Sequence, residues 1–224
     1  PYFAYAESFE VLPGIDPNTK NSYKPLEGKL YETGIKYAPS FLDGYINLAL
    51  FDLEQTNSLV STGSGQQTQA GEVTSQGIEL EGSVQATEAL RLTAAYTYTD
   101  AKTNDTGNGD RQASLIPRHQ ASFWGSYKVQ QGPVSGLEVG TGVRYIGSSI
   151  GIGAVNADYT PIYGSAQVPA QTVWDAMIGY DFAKNWRAQV NVNNLLNDTY
   201  VASCDYYCYY GEPRSIVGSV NYRW

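Results

Sequence analysis

Hydrophobic and polar residues alternate with a period of two along most of this chain. In 90-LRLTAAYTY-98 one face reads Leu90, Leu92, Ala94, Tyr96, Tyr98, and the other Arg91, Thr93, Ala95, Thr97. In 78-IELEGSVQ-85, Ile78, Leu80, Gly82 and Val84 oppose Glu79, Glu81, Ser83 and Gln85. In 216-IVGSVNYRW-224, Ile216, Gly218, Val220, Tyr222 and Trp224 oppose Val217, Ser219, Asn221 and Arg223. A helical period would place Arg91 and Glu81 among apolar neighbours, whereas a strand separates the two sets. Similar runs begin near Phe3, Leu30, Tyr45, His119, Leu137, Val173 and Trp186. The pattern predicts about ten strands and no helix of useful length. For Tyr45 to Leu53 it leaves open which face is outward, because Ile46, Leu48 and Leu50 oppose Tyr45, Ala49 and Phe51.

The connections alternate in length. Short ones fall near 38–44, 86–89, 130–136 and 183–185, and long ones near 10–28, 54–75, 100–117, 147–171 and 197–214. In an up-and-down sheet, alternate connections share one end. All the long loops therefore gather at one end and all the short turns at the other, the arrangement of an outer-membrane barrel. Tyr37, Tyr180, Phe182, Trp186, Tyr222 and Trp224 cluster at the short-turn end, as an interfacial aromatic girdle requires. The opposite face carries Glu79, Glu81, Arg91, Glu138, Arg144, Asp175, Asp181, Arg187, Asn191 and Arg223. Charges at those positions imply a wet interior or a polar partner inside, since they could not face lipid cheaply. The expected fold class is all-β, an antiparallel up-and-down transmembrane barrel.

Composition agrees. Of 224 residues only 16% are charged, 19 are Tyr and 23 are Gly. Net charge is −8 and the pI is near 4.6, which argues against a nucleic-acid partner. Mean hydropathy is −0.34 and no run approaches a membrane helix, but a barrel has no such run.

Specific strings then resemble a known family. They include 5-YAESF-9, 31-YETGIKY-37, 72-EVTSQGIELEG-82, 95-AYTYTDAK-102, 116-IPRHQASFWGSY-127, 142-GVRYIGSS-149, 174-WDAMIGYD-181, 191-NVNNLLNDTYVASC-204 and 211-GEPRSIVGSVNYRW-224. The chain resembles the C-terminal part of TonB-dependent outer-membrane receptors. Cys204 and Cys208, entered through YVASC and left through GEPR, point to the ferrichrome (ferric hydroxamate) type. The resemblance implies a 22-stranded barrel whose lumen is filled by an N-terminal plug. Residues 1–224 would be one barrel fragment, strands thirteen to twenty-two, without the plug. It also implies uptake of a ferric siderophore, driven through TonB acting on the plug, in the outer membrane of a Gram-negative bacterium. The receptor would be a monomer contacting outer-membrane lipid, with no cofactor of its own and no enzymatic step.

The long-loop rule puts 203-SCDYYCYYGEPR-214 outside the cell, where a Cys204–Cys208 disulfide is compatible with oxidative folding. Tyr206, Tyr207, Tyr209 and Tyr210 are the expected ligand-binding residues, because ring faces and phenol hydroxyls suit a compact iron chelate. The plainer alternative is a loop that packs on its neighbours. The family's loop is usually longer between its cysteines, so roles do not transfer residue by residue.

Other signals are weaker. The string 147-GSSIG-151 fits G-x-S-x-G, but no helix is predicted after it. His119, near Asp100, Asp105 and Asp110, is the alternative for a ten-stranded barrel protease, against a plain surface His beside Arg118. The stretch 105-DTGNGD-110 lacks the full calcium-loop spacing, and C-x3-C has no second ligand pair for zinc. The rival cargoes within the family are a catecholate siderophore or cobalamin, and a passive channel or adhesin is the rival outside it.

Overall fold

A computed structural model describes residues 1–61, 67–104, 110–157, 161–205 and 207–224. Among them there is no helix. The strands are β1 (Tyr2–Glu10), β2 (Leu26–Tyr37), β3 (Gly44–Ser61), β4 (Gln67–Gln85), β5 (Leu90–Asn104), β6 (Asp110–Gln112), β7 (His119–Lys128), β8 (Leu137–Ile146), β9 (Ser149–Val155), β10 (Pro161–Val168), β11 (Gln171–Ala183), β12 (Trp186–Asn193), β13 (Val201–Asp205), β14 (Tyr207–Tyr210) and β15 (Ser215–Tyr222). Ten of them form one antiparallel meander, ordered β1-β2-β3-β4-β5-β7-β8-β11-β12-β15, with β6 paired on β5. These are the ten strands the alternation predicts. Among the described residues β1 and β15 each have one neighbour, so the sheet is open and these ten strands do not close on themselves.

Register carries one parity across the whole sheet. Leu48 lies opposite Ile35 and Leu80, Leu80 opposite Tyr96, Tyr96 opposite Ala121, and Ala121 opposite Tyr145. The adjacent row runs Asn47, Glu81, Ala95, Ser122, Arg144, Val173. This settles the ambiguous run: Ile46, Leu48 and Leu50 belong to the apolar face, and Tyr45 and Phe51 to the polar one. No large side chain among the described residues is fully buried, while Phe3, Ile35, Leu48, Leu80, Phe123, Val139, Ile178, Val190 and Val220 lie exposed on the apolar face. A water-soluble sheet would have to cover such a face; here hydrocarbon is the medium that does so.

The short-turn end carries the expected rings. Trp186 stacks near Phe182, with centroids 6.2 Å apart, and lies 4.9 Å from Tyr222. On the polar face Trp124 lies across the next strand. A Cβ at Gly142 would sit 2.4 Å from its Cε3, and one at Gly140 2.7 Å from its Cζ2. Glycine at both positions gives the indole its floor.

The long connections differ from the sequence reading. The 54–75 connection is mostly ladder, since β3 runs to Ser61 and β4 starts at Gln67. The 147–171 and 197–214 connections contain β9, β10, β13 and β14, which form a second, four-stranded sheet ordered β10-β9-β13-β14. The strands are short, and among the described residues the two hairpins are joined into one sheet only by the pairing of β13 with β9, which are remote in sequence. Neither property leaves a local alternation to read.

Candidate ligand-binding loops

The outer sheet is built from two loops. β9 and β10 form a hairpin on the connection between β8 and β11, and β13 and β14 form one between β12 and β15. The hairpins meet where β13 runs parallel to β9, Asp205 opposite Ile152. The approach is close: a Cβ at Gly151 would lie 2.2 Å from the Cys204 carbonyl oxygen, so only glycine fits. A third loop joins through the Leu115 N–H, which donates to the Ile150 carbonyl at 2.7 Å.

Cys204 and Cys208 are disulfide-bonded and face each other across β13 and β14. Cys204 is 2% exposed. The tyrosines are the opposite. Tyr207, Tyr209 and Tyr210 are 74%, 57% and 73% exposed on β14, an edge strand. Tyr207 and Tyr209 share one face by strand alternation, and Tyr210 points to the other. Tyr206 lies outside the described residues. The structure thus presents three of the four expected tyrosines on one exposed edge.

The base of this loop is tied to the wall. Asn194 follows β12, has φ 51° and is 2% exposed. Its Oδ1 accepts from the Asp198 N–H at 2.9 Å. Its Nδ2 donates to the carbonyls of Asp198 at 2.8 Å and Glu212 at 3.1 Å. Its own N–H donates to Asp175 Oδ1 at 2.9 Å. Asp175, on the polar face of β11, is held by Arg144 through Nε at 2.7 Å and Nη2 at 3.1 Å. Asn197, also at positive φ, accepts from the Arg214 N–H at 3.0 Å. The 194-NLLND-198 stretch is therefore a polar staple. Sequence reading placed Asp175 and Arg144 on the polar face but had no means of pairing them with Asn194.

At the short-turn end of the polar face, Arg187 bridges Glu138 at 2.6 Å and Asp181 at 3.2 Å, and Lys128 holds Asp181 at 2.6 Å. Lys128 was not among the residues singled out from sequence.

The enzyme-like signals do not assemble. His119 opposes Tyr98 on the apolar face, and its Nδ1 lies 2.9 Å from the Tyr96 hydroxyl. Asp100 pairs instead with Lys102 at 3.3 Å and Arg118 at 3.4 Å. Asp105 lies outside the described residues, as does most of the 105–110 stretch. Ser149 opens strand β9, and no helix follows it among the described residues. Among the described residues no group of His, Cys, Asp or Glu could hold a metal ion.

Comparison with known proteins decides the family. The family model described as TonB dependent receptor-like, beta-barrel matches residues 1–195. The chain belongs to the TonB-dependent receptor β-barrel family. It is 37% identical over its full length to the ferrichrome outer membrane transporter/phage receptor of Escherichia coli K12, covering 30% of that protein. It is 36% identical over 99% of its length to the ferrioxamine B receptor of Salmonella typhimurium, covering 32% of it. The chain thus spans about a third of the length of these relatives. Among solved structures, the closed form of the ferric-catecholate import receptor Fiu from E. coli K12 superposes with a TM-score of 0.76 at 27% identity, over 98% of this chain and 32% of that one. The ferripyoverdine receptor of Pseudomonas aeruginosa reaches 0.82 at 23%, over 97% and 30%, a likeness of fold alone. The receptor barrel accordingly places this chain in the outer membrane of a Gram-negative cell, apolar face to lipid and polar face to the lumen.

Proposed function

We propose that this chain forms the C-terminal barrel strands and outer loops of a TonB-energised receptor that takes up a ferric siderophore, of the hydroxamate class. The observation that carries this is the match, over essentially the whole chain, to a ferrichrome and a ferrioxamine B receptor. Residues 1–224 act as one barrel segment. The rest of the barrel and a lumen plug that contacts the TonB complex are supplied by the parent protein, a monomer in the membrane. The receptor moves its cargo without chemical change and carries no cofactor; iron arrives as the chelate. Tyr206, Tyr207, Tyr209 and Tyr210 contact the chelate, with the Cys204–Cys208 bond fixing the hairpin that presents them. The exposure of Tyr207, Tyr209 and Tyr210 supports that role. Rigid aromatic faces bearing one hydroxyl offer large contact area at low entropic cost.

A catecholate cargo is the second reading, favoured by the likeness to the ferric-catecholate receptor. The test is titration of the full-length receptor with ferrichrome, a ferric catecholate and cobalamin, followed by intrinsic fluorescence. Saturable quenching by ferrichrome alone, weakened by Ala at the tyrosines, is the expected result. Binding of another cargo only would keep the receptor and sink the hydroxamate assignment. Binding of none would leave a channel or adhesin.

A further inference from the structure

The last outer loop leaves the wall after β12 and returns at β15. Its legs do not pair as a ladder near the wall. Asn194 spans them, reaching Asp198 on one leg and Glu212 on the other, and Asn197 spans them again by accepting from the Arg214 N–H. The Leu195 N–H donates to the Trp174 carbonyl at 2.7 Å, and Arg214 Nη1 reaches the Leu195 carbonyl at 3.4 Å. Higher up, the Gly211 N–H donates to the Tyr200 carbonyl at 2.8 Å, and the disulfide hairpin begins at once beyond it.

The pivot of this assembly is Asp175. Its carboxylate uses both oxygens. Oδ2 takes Arg144 Nε, and Oδ1 takes Arg144 Nη2 together with the Asn194 main-chain N–H. The side chain is 14% exposed, so these bonds are little weakened by water. Arg144 stands on β8 and Asp175 on β11. One acid therefore joins two wall strands to the foot of the tyrosine loop. Asn194 adds a feature of its own: its φ of 51° is a conformation that Asn adopts more readily than most residues, and its amide meets three main-chain groups at once.

We propose that Asp175 and Asn194 are positioning residues for ligand capture: they fix the tyrosine hairpin against the lumen wall without touching the ligand. The inference deepens the siderophore-receptor reading and rests on it. A loop set by one largely shielded carboxylate and one amide is preorganised, so its ordering cost is not charged to binding. Loss of either residue frees the same loop, so their effects overlap rather than add.

The experiment uses the full-length receptor with Asp175→Ala, Asn194→Gly and both together. Glycine retains the left-handed backbone and removes only the amide bonds. Each variant is also made in a background in which Tyr206, Tyr207, Tyr209 and Tyr210 are all replaced by Ala. Each single variant is expected to weaken ferrichrome binding by about tenfold, since Asp175→Ala removes three bonds to the carboxylate and Asn194→Gly three neutral amide bonds that hold the same loop, and the double variant by little more. In the tyrosine-deleted background Asp175→Ala is expected to cost less than about twofold, since a pose with no rings has nothing to present. A merely structural role would cost the same in both backgrounds, and that result would overturn the proposal.

A second arm needs no ligand. Trypsin cleavage between Arg214 and Ser215 is expected to be slow in the parent and faster in both variants, with heat-resistant barrel migration unchanged. Equal resistance in parent and variants would also overturn the proposal. Absence of ferrichrome binding by the parent would instead sink the hydroxamate assignment, and the proteolysis would still decide whether Asp175 and Asn194 hold the loop.

Discussion

Ala94 and Ala95 are neighbours in β5 with the same side chain and opposite surroundings. Ala94 lies opposite Gly82 and Phe123 on the apolar face. Ala95 lies opposite Glu81 and Ser122 on the polar face. The apolar run from Leu90 to Tyr98 covers about 27 Å along the strand at ~3.4 Å per residue. At a tilt near 40° that is roughly 20 Å of height, close to the apolar band of an outer-membrane barrel. Ala94 sits at its middle, where the hydrocarbon is deepest and a long side chain has furthest to reach for water.

Arginine at position 94 is therefore expected to cost about 2–4 kcal/mol of folding free energy. That is a drop of roughly 30- to 1,000-fold in the folding equilibrium. Arginine at position 95 enters the lumen face beside Glu81. One Glu81 oxygen accepts from Asn47 Nδ2 at 2.8 Å, and the other can take a guanidinium. The gain or loss there is expected to stay within about 1 kcal/mol. The assay is denaturant unfolding of the full-length receptor in lipid vesicles, read by tryptophan emission and by heat-dependent gel migration. The reasoning fails if Ala95→Arg costs as much as Ala94→Arg, because the two faces would then not be lipid and lumen.

Two further perturbations test the packing of the polar face. Arg187→Ala leaves Glu138 and Asp181 facing each other with Lys128 alone to balance them, and is expected to destabilise by roughly 1–2 kcal/mol, less in 1 M salt. Arg187→Lys should recover only part of this in the same unfolding assay, since a point charge cannot bridge both acids as the guanidinium fork does. Gly142→Ala puts a methyl 2.4 Å from Trp124 and 2.8 Å from the Phe123 carbonyl, and is expected to cost about 1–3 kcal/mol with a shift in tryptophan emission. Adding Trp124→Ala should relieve the ring clash but not the carbonyl contact; no relief at all would mean the indole does not lie on that glycine.

The wall strands were legible because their two media differ all along them. Lipid on one side and a polar lumen on the other impose a residue-by-residue alternation that survives in the one-dimensional text, as at 90–98. Tyr45–Leu53 defeated that reading because both parities carry large apolar residues, and only registration against Leu80 and Ile78 separates them. The outer sheet was not legible for a different reason. β9 and β13 are held together by a contact between Gly151 and Cys204, which no local pattern announces. Asn194 stands in the string 191-NVNNLLNDTYVASC-204 that resembles the receptor family, but its structural role rests on bonds to groups at 175, 198 and 212 that no sequence reading pairs with it.

The same difference in legibility bears on how a site could work here. Tyr207, Tyr209 and Tyr210 were visible in the sequence as a cluster, but three exposed phenols on an edge strand do not make a pocket. A small-molecule site buries most of its ligand, and a chelate resting on β14 alone would keep most of its surface in water. If the hairpin is a capture site, its affinity must come from meeting other walls at a fixed distance. The lumen wall is one such surface, and Asp175 is where the loop is anchored to it. On the reading proposed above, the tyrosines' suitability for a chelate is visible in their identity, while their capacity to bind would depend on how the Asn194 staple aims them.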